Sequence, residues 1–272
     1  MTPTPELRRI EADERVLVVV SSFEEAALEL GLLEPQGLER APARAAAGGR
    51  GITRLIALGS HPQRLHLRPV HHGGLLGGIL GRWLVGLARP LAELEVAIRL
   101  RARGAPVAQA VLVLGRRAWG LWRADVGTIY EEQSIDGETF LRAAPSQGRM
   151  LRAARAAGSA VRRLHDAGGR HADLHIGNLL VRERELETEA LVIDLDRARI
   201  DPEITEARRM AELMRLYRSL VKRRLTGRVG VRGYAAFFRA YVAGDRALRR
   251  ALLSYLPRER RRVALHALLY RR

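Results

Sequence analysis

Residues 171–196 read HADLHIGNLLVRERELETEALVIDLD, and this stretch limits the possible folds more than any other. Its apolar runs, NLLV and ALVI, are each too short for a helix. A short charged segment separates them, so they read as two strands of a hairpin. The polar groups lie at the ends of these runs: Asp173 on the loop before the first strand, Asn178 where that strand begins, and Asp194 where the second ends. The rest of the sequence has to decide whether these groups assemble one site or are the solvated ends of buried strands.

An acid, an amide five residues on, and a second acid after the next strand suit phosphoryl transfer. A transferring phosphoryl group needs in-line positioning and a divalent cation to spread its charge. Asp173 is placed to orient an acceptor hydroxyl and take its proton. The amide oxygen of Asn178 and the carboxylate of Asp194 are hard donors of the kind Mg²⁺ prefers. Asn178 is the only asparagine in the chain, which points to a need for an amide at this position.

Composition narrows the class. With 272 residues, 47% hydrophobic and 28% charged, the chain has enough apolar material for one large domain or two lobes. It has no cysteine, so disulfides and thiolate metal sites are excluded. The N-terminal MTPTPELRRIEADERV lacks the apolar core of a signal peptide, and the apolar run at 73–88 is Gly-rich and broken by Arg82. The expectation is a cytoplasmic protein, soluble or attached to the face of a membrane.

The formal net charge of +17 rests almost wholly on arginine, since Lys222 is the only lysine. Basic residues are not interleaved with aromatics in the manner that stacks bases, so nucleic acid is not the expected partner. An anionic membrane surface is one use for the charge, and a coding bias toward arginine is the competing explanation.

The order of elements gives a β-rich half followed by a helical half. Strands are expected at 14–20, 52–58, 63–70, 107–115 and 118–126. Helices are expected at 21–33, with Ser22 as N-cap, and at 88–104, ending at Gly104. Beyond the link at 126–137, one or two helices span 140–168, and others cover 207–224 and 234–242. The small-residue stretch 41–51 reads as flexible. The division expected is 1–127 for the β-rich lobe and 128–272 for the helical one.

The pattern H-x-D-L-x-x-x-N, apolar strand, hairpin, strand, I-D resembles the catalytic loop of the protein-kinase-like superfamily. GGRG (48–51), LRPVHHGGLLG (67–77), AELEVAIRLRARGAPVA (92–108), WRADVGT (122–128), HADLHIGNLLV (171–181), VIDLDRAR (192–199) and LMRLYRSLVK (213–222) together resemble the lipopolysaccharide core kinases. That family comprises the 3-deoxy-D-manno-octulosonic acid (Kdo) kinases and the related heptose kinases. The resemblance implies an α+β fold of two lobes, an antiparallel-sheet N-lobe with one key helix and a larger helical C-lobe. It also implies ATP and Mg²⁺ as cofactors and a lipid-linked lipopolysaccharide precursor as acceptor.

On the same resemblance, Asp173 is the catalytic aspartate, and Asn178 and Asp194 hold Mg²⁺. Gly49, Arg50 and Gly51 form the glycine-rich nucleotide loop. Glu93 is the helix glutamate that pairs with a strand cation, with Glu95 as the alternative if the register slips. General kinases place a lysine on the strand, and this chain offers Arg68 instead. Arginine keeps the charge with a different reach and geometry. His71 and His72 stand where the family carries basic residues, as binding groups or plain surface groups. His175 stands where many kinases carry a lysine, and its protonated ring would do part of that work. His171 is expected to support the loop backbone. Two alternatives stay open: a phosphotransferase with another acceptor, and a catalytically silent relative. The oligomeric state is not legible.

Overall fold

A computed structural model describes residues 5–40, 43–46, 53–59, 61–71, 81–185 and 187–269; the side chains of 43–46, 260 and 262–269 lie outside that description. Residues 49–51 and 72, singled out above, fall outside it as well.

RVLVVV is apolar at nearly every position, a pattern that calls for cover on both faces of a strand. It forms β2 (Arg15–Val20), buried from Val16 to Val20. β2 lies between β1 (Leu7–Ala12) and β6 (Ala110–Ala118). With β3 (Ala43–Ala46), β4 (Thr53–Ala57), β5 (Arg64–Pro69) and β7 (Leu121–Ile129), the antiparallel sheet runs β1-β2-β6-β7-β5-β4-β3. β5 alternates, burying Leu65, Leu67 and Pro69 and leaving Arg64, His66 and Arg68 half-buried on the opposite face. Helix α3 (Ala88–Ala102) packs against β6 and β7 and buries Glu93, Leu94, Ala97 and Ile98. Gly104 follows it at φ 81°, a left-handed conformation that suits glycine.

Four local features depart from the sequence reading. β1 is an edge strand without clean alternation, held by its ladder to β2. β3 forms within the stretch expected to be flexible, because its backbone pairs with β4. The helix expected from residue 21 begins at Glu24, after a 3₁₀ turn at Ser21–Phe23, and Ser22 caps nothing. The short α1 (Glu24–Glu29) and α2 (Gly37–Arg40) follow it. The fourth departure is the turn between β6 and β7. It consists of Trp119 and Gly120, at φ 51° and 77°, so the expected strand from residue 118 begins at Leu121.

The later part of the chain is mostly helical. Asp136 ends β8 (Ser134–Asp136) and caps α4 (Gly137–Arg142), its carboxylate accepting the amides of Glu138 and Thr139 at 3.0 Å. Ser146 caps α5 (Gln147–Asp166), so the 140–168 region is two helices rather than one. α6 (Glu206–Lys222) is capped by Thr205. α7 (Thr226–Val242) is interrupted at Gly230 (φ 61°), and α8 (Arg246–Leu269) follows. Two small sheets sit among these helices. One joins β8, β10 (Leu179–Glu183) and β11 (Thr188–Val192); the other pairs β9 (Gly169–Arg170) with β12 (Arg199–Ile200). The chain divides into two compact units, 1–102 with 108–131, and 103–107 with 132–272.

Candidate active site

The hairpin expected from NLLV and ALVI is present as β10 and β11, with Leu179 opposite Val192. The ladder extends one step further, the amide of Ile193 donating to the carbonyl of Asn178 at 3.0 Å. Asp194 therefore emerges beside the start of β10. It does so at φ 59°, a left-handed backbone that a non-glycine residue rarely adopts and that aspartate tolerates better than most.

The loop that carries Asp173 is tied to both strands. The Asn178 side-chain nitrogen donates to the carbonyl of Asp173 at 2.9 Å. With the NH₂ group so engaged, the amide oxygen is the atom left to act as a hard donor. His171 is fully buried and bridges the loop to the second strand. Its Nδ1 accepts the amide of Asp173 at 3.1 Å, and its Nε2 donates to the carbonyl of Ile193 at 3.1 Å. Asp173 and Asn178 are thereby joined directly, and both are tied to the backbone of Ile193, the residue before Asp194. The Asp173 side chain remains 73% exposed, and Asn178 is buried. Both aspartates act electrostatically on both His171 and His175.

Burial holds His171 below its ordinary pKa of 6.5, against the opposing pull of the Ile193 carbonyl and nearby carboxylates. His175 is also lowered by burial, with Asp173 opposing and Arg223 adding to the shift. Its Nδ1 accepts the amide of Gly177 at 3.1 Å, and its Nε2 lies 3.8 Å from Asp173 Oδ2. The neutral ring is thus favoured near neutral pH, unlike the charged ring expected from the sequence. His66 on β5 is lowered by burial and by Arg68.

A histidine with a lowered folded pKa binds fewer protons than it does in the unfolded chain. Its stabilising contribution is therefore complete above about 6.5 and is lost as pH falls through that value toward the folded pKa. We expect the melting temperature to fall between pH 7 and pH 5.5, and His171→Gln to flatten that slope. Thermal denaturation across this range checks it; a flat wild-type profile would contradict it.

Sequence reasoning missed the groups that hold this loop from below. Glu212 on α6 is buried, and its Oε2 accepts the amide of His171 at 3.1 Å and Nε2 of His165 at 3.2 Å. His165 Nδ1 in turn lies 2.6 Å from the Tyr241 hydroxyl, whose pKa burial pushes up to about 12, so Tyr241 donates. Ser219 Oγ accepts the amide of Ile176 at 3.0 Å. Glu212 and Ser219 share a helix face with Leu216, and these polar breaks in an apolar stripe were the available signal.

In the first unit, Arg68 on β5 pairs with Glu93 on α3 at 2.5 Å, with Glu93 buried. Glu95 is exposed, so the expected strand–helix pair uses Glu93. His71 is half-buried at the end of the described segment.

An antiparallel sheet carrying a strand-to-helix cation–glutamate pair, with a helical unit bearing this Asp–Asn loop and Asp-terminated hairpin, defines a kinase-like fold. A family model described as lipopolysaccharide kinase (Kdo/WaaP) family matches residues 44–241, and the chain belongs to that family. A 3-deoxy-D-manno-octulosonic acid kinase of Vibrio cholerae serotype O1 is 27% identical over 180 residues, covering 65% of this chain and 72% of that protein. A solved structure of WaaP in complex with acyl carrier protein shares the fold, with a TM-score of 0.58 at 20% identity. It covers 87% of this chain and 92% of its own.

Proposed function

We propose that this kinase-family protein transfers the γ-phosphoryl group of ATP to a hydroxyl of Kdo, or of heptose, in a lipid-linked lipopolysaccharide precursor. The observation that carries the proposal is the linked trio of Asp173, Asn178 and Asp194, set on one loop and one hairpin. Asp173 orients the acceptor hydroxyl and accepts its proton, which suits a carboxylate left exposed by a loop fixed through its backbone. His175 assists as a neutral hydrogen-bonding group. Asn178 and Asp194 hold Mg²⁺, which when bound spreads the charge of the phosphates. The donor set fits that ion: two hard oxygens suffice where substrate phosphates and water complete the shell. Among the described residues no group of three His, Asp or Glu side chains forms a protein cage for a metal.

Residues 1–127 serve as the nucleotide-binding lobe and 128–272 as the catalytic and acceptor lobe. Gly49, Arg50 and Gly51 approach the nucleotide phosphates. Arg68, held by Glu93, supplies the cation that a lysine supplies elsewhere. Arg68→Ala should raise KM for ATP about ten- to hundredfold, since a charge-assisted hydrogen bond contributes about 1.5–3 kcal/mol. An unchanged KM would remove Arg68 from the nucleotide site.

Among the described residues no helix is long and apolar enough to cross a membrane. Attachment to the anionic cytoplasmic face through arginine is the proposed route to a lipid-linked acceptor. Acyl carrier protein, the companion of WaaP in its solved structure, is a protein partner to try by co-purification.

The test is transfer from labelled ATP to a panel of Kdo-lipid, heptose-containing lipid, small alcohols and protein. Transfer to the Kdo or heptose lipid alone supports the proposal. Transfer only to other acceptors would redirect it, and Mg·ATP binding without transfer to any would mark a silent relative.

A further inference from the structure

The chain has three tryptophans, Trp83, Trp119 and Trp122, and all three gather at one end of the sheet in the first unit. Trp83 and Trp119 lie 5.6 Å apart between ring centroids. The backbones of Leu84 and Trp122 exchange two hydrogen bonds, at 2.7 and 2.8 Å, which ties the 83–85 segment beside the start of β7. The guanidinium of Arg123 sits 4.2 Å from the Trp83 ring centre, and that of Arg117 sits 5.9 Å from Trp122. Trp119 is 91% exposed and Val85 82% exposed, the largest exposures among the exposed large hydrophobics besides Val231.

The backbone at Trp119 sharpens the point. Trp119 and Gly120 form a two-residue hairpin loop with both φ values positive, the primed turn that favours Asn-Gly. A bulky aromatic at the first of these positions is strained. An indole that is both strained and almost wholly in solvent opposes folding on two counts. Such a break in local rules marks a site where something other than stability selects the residue.

We propose that this ridge, Trp119 with Trp83 and Val85 and flanked by Arg117 and Arg123, docks the protein on an anionic lipid bilayer. Indole rings prefer the boundary between headgroups and acyl chains, where the ring is apolar and its N–H stays wet. Arginines that already lie over the rings reach phosphate headgroups without leaving them. Trp119 and Arg117 also line the adjoining groove, whose other wall, with Arg9, Glu11, Asp13 and Glu14, carries both signs. The contact with lipid is therefore assigned to the tip formed by Trp119, Trp83 and Val85, and not to the groove wall that carries Glu11, Asp13 and Glu14. The inference rests on the proposed lipid-linked acceptor and deepens it by assigning its membrane contact to this hairpin.

Because every tryptophan lies in the patch, intrinsic fluorescence reports on it directly. Wild-type protein should co-sediment with phosphatidylcholine vesicles containing phosphatidylglycerol, and do so less in high salt. Its emission should shift to shorter wavelength on binding. Trp119→Asn restores the favoured turn pair, so it should raise the melting temperature while weakening vesicle binding at least tenfold, further with Val85→Ser. Equal binding by these variants, or wild-type binding with no emission shift, would place the contact elsewhere and overturn the inference. An emission shift produced by acyl carrier protein and not by vesicles would overturn it in favour of a protein surface. Transfer to a delipidated acceptor should be the same in wild type and variants. Its loss in the wild type, with vesicle binding intact, would strike the proposed reaction and leave the docking surface standing.

Discussion

Asp173→Ala should lower kcat for phosphoryl transfer by about 10²–10⁴-fold, the usual contribution of a positioned general base, and leave the melting temperature unchanged. The loop around Asp173 is held by backbone groups. Its amide donates to His171 and its carbonyl accepts from Asn178. The carboxylate is 73% exposed and lies no closer than 3.8 Å to His175 Nε2. Truncation therefore removes chemistry without removing a fold contact. Labelled-ATP kinetics beside thermal denaturation would read both effects. Transfer equal to wild type would end the assignment of Asp173, and a large loss of stability would show that the side chain holds the loop.

Glu212→Ala should act in the opposite way, through stability first. Glu212 is 4% exposed, and its carboxylate accepts from two buried donors, the His171 amide and His165 Nε2. Removing it leaves both donors unsatisfied, at about 1–3 kcal/mol each, so a loss of about 2–6 kcal/mol is expected. Activity should fall as well, since the His171 backbone anchors the loop that carries Asp173. Glu212→Gln keeps an acceptor and should recover part of both. Denaturant unfolding checks this; a change below about 0.5 kcal/mol, the range of ordinary surface substitutions, would show that the network does not hold the loop.

Much of the fold was legible because its cues are local. The hairpin at 179–192, the buried β2, the alternating β5 and helix 88–102 each carry their own periodicity. What escaped depends on partners distant in sequence. β1 and β3 have weak patterns and form through ladders to β2 and β4. The 119–120 turn was hidden because tryptophan is a poor turn signal. The same division runs through the candidate site. The spacing of Asp173, Asn178 and Asp194 was readable in one stretch. Glu212, His165 and Tyr241 were not, since Glu212 lies 41 residues from its partner His171, and His165 lies 76 from Tyr241.

The sequence by itself determined the order of a β-rich half and a helical half, the family, and which residue types stand at the catalytic spacing. Those follow from local patterns of apolar, turn and acidic residues. Only the tertiary structure decided that Glu93 rather than Glu95 meets Arg68. It alone showed that the Asn178 nitrogen is engaged with Asp173, that burial favours neutral His175, and that Trp83 packs beside Trp119. Each of these depends on side chains brought together by sheet register and helix packing, and on the water that packing excludes. Neither is encoded in any single window of the chain.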